Sequence, residues 1–287
     1  MRRVFGALLA LAACDGTTPS GAGDLRIVFE HASNLHTMRP DGSDREALTR
    51  ITEFQFESPR FSPAVTPGAD RVVFYFDGDL WTVSATTRAM VQVTHTGFAI
   101  REQRPAWSPD ATHIAYQSGA PGFGDIYVVD ARGEEPRRLT DHTGDDSDPT
   151  WAPGPGRIAF VSDREGERAV YTMTPDGTDV QRVTPVGMVA WSPAWDPLSD
   201  TLAFSGFNGH TFGVFAIAAN GSGLRQLADI HSASRPQWSP DGQHLVLVAN
   251  TGGVDKIYLL RRDGTALTLV SPSNATDWDP AWLDLLP

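Results

Sequence analysis

Residues 104–118 read Arg-Pro-Ala-Trp-Ser-Pro-Asp-Ala-Thr-His-Ile-Ala-Tyr-Gln-Ser, and residues 235–249 read Arg-Pro-Gln-Trp-Ser-Pro-Asp-Gly-Gln-His-Leu-Val-Leu-Val-Ala. Both follow one plan: a proline, a large aromatic two residues on, a Ser-Pro-Asp turn, then a short apolar strand. The proline–aromatic pair recurs as Pro59/Phe61, Pro105/Trp107, Pro149/Trp151, Pro193/Trp195, Pro236/Trp238 and Pro280/Trp282, with successive aromatics 46, 44, 44, 43 and 44 residues apart. A fixed period of about 40–50 residues marks a propeller, in which one four-stranded blade recurs around a central channel.

Between the aromatics each repeat has room for three more short strands. The apolar runs Val72–Tyr75, Ile114–Tyr116, Ile158–Val161, Leu202–Phe204 and Leu245–Leu247 come second, and Leu80–Val83, Ile126–Val129, Val170–Met173, Val214–Ile217 and Ile257–Leu260 come third. Turns such as Pro175-Asp176-Gly177, Asn220-Gly221 and Asp263-Gly264 follow, because proline presets the first turn φ and glycine suits the exit. A last strand closes on pairs such as Leu139-Thr140 and Val183-Thr184. No segment carries a long 3.6-residue apolar period, so helix is nearly absent.

The ends of the repeat array are incomplete in complementary ways. Residues 25–49 supply the later three strands of a repeat without its first, and Asp279-Pro280-Ala281-Trp282 is a first strand with nothing after it. Joined, they make one blade and leave no free edge. The expectation is therefore all-β: a six-bladed β-propeller of four-stranded antiparallel blades, its ring closed by joining N- and C-terminal strands.

The first residues point to a compartment. Arg2 and Arg3 precede an apolar run from Val4 to Ala13, too short to span a bilayer and ordered like a secretory signal. The run ends Leu11-Ala12-Ala13-Cys14, with Cys14 the only cysteine. This resembles the lipobox of bacterial lipoproteins, whose cysteine is lipidated and becomes residue one; an ordinary signal peptide is the other reading. The expected organisation is a lipoprotein-type signal over 1–13, a lipidated Cys14 with a small-residue tether through 24, and a propeller over 25–287. Asp15 resembles the signal that retains lipoproteins at the inner membrane in enteric bacteria, a rule other lineages do not follow, so inner and outer membrane both stay open. One cysteine allows no intrachain disulfide, so stability must come from the core. With 23 basic and 35 acidic residues the net charge is −12, and loss of Arg2 and Arg3 takes it to −14. Such a balance argues against nucleic acid or anionic lipid headgroups as partners.

The quoted stretches, with Asp125-Ile126-Tyr127-Val128-Val129-Asp130 and Lys256-Ile257-Tyr258-Leu259-Leu260 that follow them, resemble the PD40, or WD40-like TolB, repeat, and the likeness extends over about residues 25–282. The protein is read as a TolB-like member in lipoprotein form, without the α/β domain that precedes the TolB propeller. The resemblance implies an envelope protein or peptide as partner; a monomer without enzymatic activity is expected.

In a propeller the first strand of each blade lines the channel, and the residue before each proline stands at one mouth. In ring order these are Asp279, Ser58, Arg104, Asp148, Ser192 and Arg235, and positions three blades apart match. Arg104, Asp148, Arg235 and Asp279 are the candidate partner-binding charges; the preceding loops add Glu57 and Asp277, with Trp191 and Trp278 as aromatics outside the packing repeat. Aromatics that anchor and charges that select suit a protein or peptide segment. An inter-blade girdle, with Arg104 paired to Asp148 and Arg235 to Asp279, accounts for the same pattern, and Trp191 and Trp278 also suit gap filling between loops.

The alternative function is an enzyme or sensor, metal-dependent or not, for a carbohydrate or small molecule in the channel, with Asp148, Asp279, Asp277 and Glu57 as the available ligands. Two arginines in the same ring oppose metal loading. The eight histidines show no close ligand spacing, and no Gly-x-Ser-x-Gly occurs. No catalytic residue, metal or cofactor is assigned.

Overall fold

A computed structural model describes residues 24–52, 61–66, 70–96, 101–120, 122–154, 156–272 and 276–285. Every regular element among them is a β-strand, and the strands form six four-stranded antiparallel sheets. Blade 1 starts on Ala64–Val65, blade 2 on Arg101–Trp107, blade 3 on Asp146–Trp151, blade 4 on Val189–Trp195 and blade 5 on Ser234–Trp238. Blade 6 pairs the C-terminal strand Trp278–Leu285 with Asp24–His31, followed by Asn34–Met38 and Glu46–Ala47. Its register runs Asp24↔Leu285, Ile27↔Trp282 and Glu30↔Trp278, so the two terminal segments close the ring as the split repeat implies.

Apolar side chains meet between neighbouring blades. Ile27, Phe29 and Met38 of blade 6 pack on Val246, Ile257 and Val270 of blade 5, and Val28 and Leu35 pack on Phe61, Val72 and Phe74 toward blade 1. The repeat's tryptophans serve this seam. Trp151, Trp195 and Trp282 each donate an Nε1–H bond of 3.0–3.3 Å to a carbonyl on the preceding blade's inner strand, those of Ala106, Thr150 and Gln237. A buried indole thus packs with its apolar body and fixes the angle between blades with its polar tip.

Two more repeated devices explain the short sequence signals. The hydroxyls of Thr49, Thr94, Thr140, Thr184 and Ser271 accept the backbone N–H of Leu35, Leu80, Ile126, Val170 and Ile257 at 2.9–3.1 Å, latching the outer strand to the third strand. Blade 4 has Ala228 at this place, and there the backbone ladder continues directly to Val214. In the turns, Gly133 (φ 86°) and Gly177 (φ 88°) lie against the previous blade's outer strand. A Cβ would stand 1.7 Å from the Val93 carbonyl oxygen and 2.4 Å from that of Leu139, so no larger residue fits without parting the blades.

The first repeat departs from the sequence reading. The pair Pro59/Phe61 does not set the inner strand: Ala64–Val65 pairs with Val73 and Val72, which makes Ser62-Pro63-Ala64-Val65 the counterpart of Arg104-Pro105-Ala106-Trp107. Phe61 is instead fully buried against Phe74 and Phe76 between blades 6 and 1. The rim residue of blade 1 is therefore Ser62, while Ser58, Glu57, Cys14 and Asp15 lie outside the described residues. Among the described residues no helix is long and apolar enough to cross a membrane.

Candidate functional site

The residue before the inner proline has positive φ in every blade: Ser62 43°, Arg104 54°, Asp148 51°, Ser192 51°, Arg235 54° and Asp279 50°. The pairing register slips at the same place, between Gln103 and Ala106, Ser147 and Thr150, Trp191 and Ala194, and Ser234 and Gln237. Proline has no N–H to give to the ladder, and the left-handed turn before it makes a bulge. A left-handed non-glycine costs about 1–2 kcal/mol. Each bulge brings its side chain to the wall of the channel.

The channel is a cavity of about 490 Å³ whose wall includes Ser62, Arg104, Asp148, Ser192, Arg235 and Asp279, with small Ala64, Ala106 and Ala281 beyond them and Pro109, Pro153, Pro197 and Pro240 farther along the sequence. The six rim residues form two triads. In one, Arg104 pairs with Asp148 through Nη1, and Asp148 Oδ2 accepts the Ser192 backbone N–H at 3.2 Å and its hydroxyl at 3.4 Å. In the other, Arg235 Nε lies 2.5 Å from Asp279 Oδ1, Asp279 Oδ2 accepts the Ser62 hydroxyl at 3.1 Å, and Arg235 Nη1 donates to the same Ser62 oxygen at 3.2 Å. The order Arg–Asp–Ser thus repeats after three blades, each triad spanning three neighbours.

The triads are not equally enclosed. Arg104 and Asp148 side chains are 33% and 12% exposed, against 17% and 3% for Arg235 and Asp279. Among the described residues Asp148 is the one polar side-chain partner of Arg104.

The other sequence candidates are not brought to this ring. Asp277 is fully buried behind it, held by a two-pronged contact from Arg45 at 2.6 and 2.8 Å and by His31 Nδ1 at 2.8 Å. Burial pushes its carboxyl up, but hydrogen bonds from Arg45 and Ser271 and the charge of Arg45 outweigh this and hold it below its ordinary range. Asp277 is thus a structural anchor without a face on the mouth. Asp146, in the same place two residues before Asp148, is likewise fully buried, and both its oxygens accept from Arg164 Nη2 at 3.0 and 3.1 Å. Trp191 and Trp278 sit half-buried on inner strands opposite Ser205 and Glu30, and neither is part of the cavity wall.

Sequence reasoning missed Ser62, although the signal was present. The 46-residue spacing is the outlier of the series, and Ser62-Pro63-Ala64 repeats Ser192-Pro193-Ala194. Among the described residues no group of three or more His, Cys, Asp or Glu side chains is placed to hold a metal ion. The two rim carboxylates each face a guanidinium, a donor set that does not suit a divalent cation.

The closed ring of bulged inner strands and its polar mouth define a six-bladed β-propeller with a charged channel. The TolB beta propeller domain family, PD40, matches residues 21–286, and the chain belongs to that family. Among solved structures, TolB from Acinetobacter baumannii superposes with a TM-score of 0.78 at 20% identity over 91% of this chain, which spans 66% of the length of that protein. A TolB-like protein from Agrobacterium tumefaciens gives 0.71 at 16% identity, covering 92% of this chain and 100% of the other. An oligogalacturonate lyase in complex with manganese gives 0.62 at 16% identity, over 84% of this chain and 71% of the lyase. At these identities the likeness is one of fold. No curated protein matches the sequence.

Proposed function

We propose that this protein is a membrane-tethered, extracytoplasmic propeller that docks an envelope protein or a peptide segment of one at its channel mouth. The observation that carries the reading is the rim: six residues of positive φ set Arg, Asp and Ser, twice over, around an open cavity of about 490 Å³. Strained backbone of this kind gathers at ligand sites, and here it recurs in every blade at one level of the channel. Membership of the TolB propeller family supports a binding role, and the Leu11-Ala12-Ala13-Cys14 ending supports the lipid tether. Arg104, Asp148, Arg235 and Asp279 would contact the partner, with Trp191 and Trp278 behind them as weaker contributors.

The test is site-specific photocrosslinking in cells. A crosslinker at Gln237, on the channel wall, is expected to trap a discrete partner band, while one at Thr268, on the outer strand of blade 5, traps none. Arg104→Glu with Arg235→Glu should remove the band. Equal labelling at both positions, or a band indifferent to the double charge reversal, would overturn docking at the mouth. For the tether, Cys14→Ser is expected to move the protein into a soluble extracytoplasmic fraction; a variant that stays with the membrane without lipid label refutes the anchor.

A further inference from the structure

The two rim triads are copies of one arrangement, so one shows what the other lacks. Around Arg235 the guanidinium meets two oxygens, Asp279 Oδ1 through Nε and Ser62 Oγ through Nη1. Around Arg104 the counterpart serine, Ser192, bonds Asp148 and, among the described residues, leaves the arginine with a single oxygen partner. A guanidinium carries five N–H donors in a planar fork, and its paired donors match the two oxygens of a carboxylate. Arg104 is also the more exposed of the two arginines and stands in the wall of the cavity.

We infer that Arg104 is a receptor for one carboxylate of the docked segment, either that of an acidic side chain or the terminal α-carboxylate. This rests on the docking proposed above. The N–H groups on Nε and Nη2 of Arg104 take the carboxylate while Nη1 stays on Asp148, so the incoming anion gives Arg104 the second oxygen partner that Ser62 Oγ gives Arg235. Asp148 sets both the strength and the selectivity of the site. Its negative charge beside the guanidinium weakens free small anions, and the net negative charge of the whole protein repels them, so a carboxylate delivered on a docked segment is favoured over one from solution. Arg235, its two oxygens already in place, can line the docked segment but takes no further carboxylate.

The experiment follows the arginine Nε–Hε NMR signals of the full-length protein, with Arg104→Lys identifying the Arg104 resonance. Three N-acetylated alanine pentapeptides are added: one amidated with a central glutamate, one with a free α-carboxylate, and one amidated with neither. The Arg104 signal is expected to move and saturate at about 1–10 mM with one or both acidic peptides, naming the source of the carboxylate, while Arg235 stays still and the neutral peptide does nothing. Arg104→Lys keeps the charge but loses the fork, and should weaken binding by about tenfold. A response at Arg235 equal to that at Arg104, an equal response to the neutral peptide, or no movement at about 10 mM overturns the inference. Partner crosslinking that persists undiminished in Arg104→Lys also overturns it while leaving docking intact. Carboxylate binding without any crosslinked partner would do the reverse.

Discussion

The triad Arg235–Asp279–Ser62 and the triad Arg104–Asp148–Ser192 use the same three residue types, yet they join different things. The second spans blades 2, 3 and 4, which are already covalently continuous. The first spans blades 5, 6 and 1, and its aspartate sits on the C-terminal strand that completes blade 6. Where the backbone is discontinuous the contacts are more buried, and one of them joins the serine to the arginine; where it is continuous they are wetter. Behind the seam, Asp277 adds a second tie, since Arg45 and His31 come from the N-terminal segment and Asp277 from the C-terminal one. One ring motif thus serves as a clasp on one side and stays more open to water on the other.

The contrast can be broken most severely by deleting residues 279–287. That removes the inner strand of blade 6 together with Asp279, and the loss should be about 5 kcal/mol or more, with aggregation through the bared edge. A truncated protein that melts like its parent would refute closure by the two ends. A gentler comparison sets Asp279→Asn against Asp148→Asn. Each leaves an arginine without its carboxylate, but the Asp279 pair is nearly sealed from water, so about 3 kcal/mol is expected there and about 1 kcal/mol at Asp148. Denaturant unfolding of both variants decides it, and equal losses would dissolve the distinction between clasp and receptor.

Acid should open the seam before it affects the other side. Burial, then the positive charges of His31 and Arg45, push His36 down to about 4 from its ordinary 6.5. The folded protein therefore binds fewer protons than the unfolded state between those values, and stability falls as pH drops through that window. Asp277, held below its ordinary 3.8, adds a second loss as pH falls further and its carboxyl protonates. Melting temperature against pH should show both steps; His36→Gln should flatten the upper one and Asp277→Asn the lower. A profile unchanged by His36→Gln between pH 6.5 and 4 would remove the imidazole from the account.

The smallest effect serves as a control. Thr49→Val in blade 6 and Thr140→Val in blade 2 delete the same latch, each accepting a backbone N–H at 2.9 Å. Both should cost about 1 kcal/mol. If they differ as the aspartates do, the asymmetry belongs to whole blades rather than to the rim.

Much of this was legible in the residues because it repeats. The Pro-x-aromatic period, the Asp-Gly turns and the threonine after each outer strand each reflect one local necessity met again in each blade or most of them. Single events were harder to read. Phe61 imitates the inner aromatic in spacing but packs in the seam, and Val65 fills the inner place with no aromatic to announce it. Asp277 looked like a mouth residue because it stands two positions from Asp279; only the fold shows that Arg45 and His31, more than 230 residues away in sequence, enclose it. The pairing of Arg104 with Asp148 and of Arg235 with Asp279 could be read from ring order. The unequal enclosure of the two pairs could not, since the two triads share their residue types and differ in how the surrounding chain covers them.

The register of blade 6 has a mechanical meaning. Asp24 faces Leu285, so the two ends of the ring leave from the same edge of one antiparallel pair. Ladder bonds in such a pair lie perpendicular to the strands. A pull exerted through both ends would therefore load them singly, from Asp24 inward, rather than all together. The ring would unzip toward Glu30 and Trp278 and meet its strongest bonds, the Arg45 and His31 contacts to Asp277, at the far end of the tear. Tension is thus a way of parting this ring distinct from heat or acid, weak at first and resisted last at the buried fork.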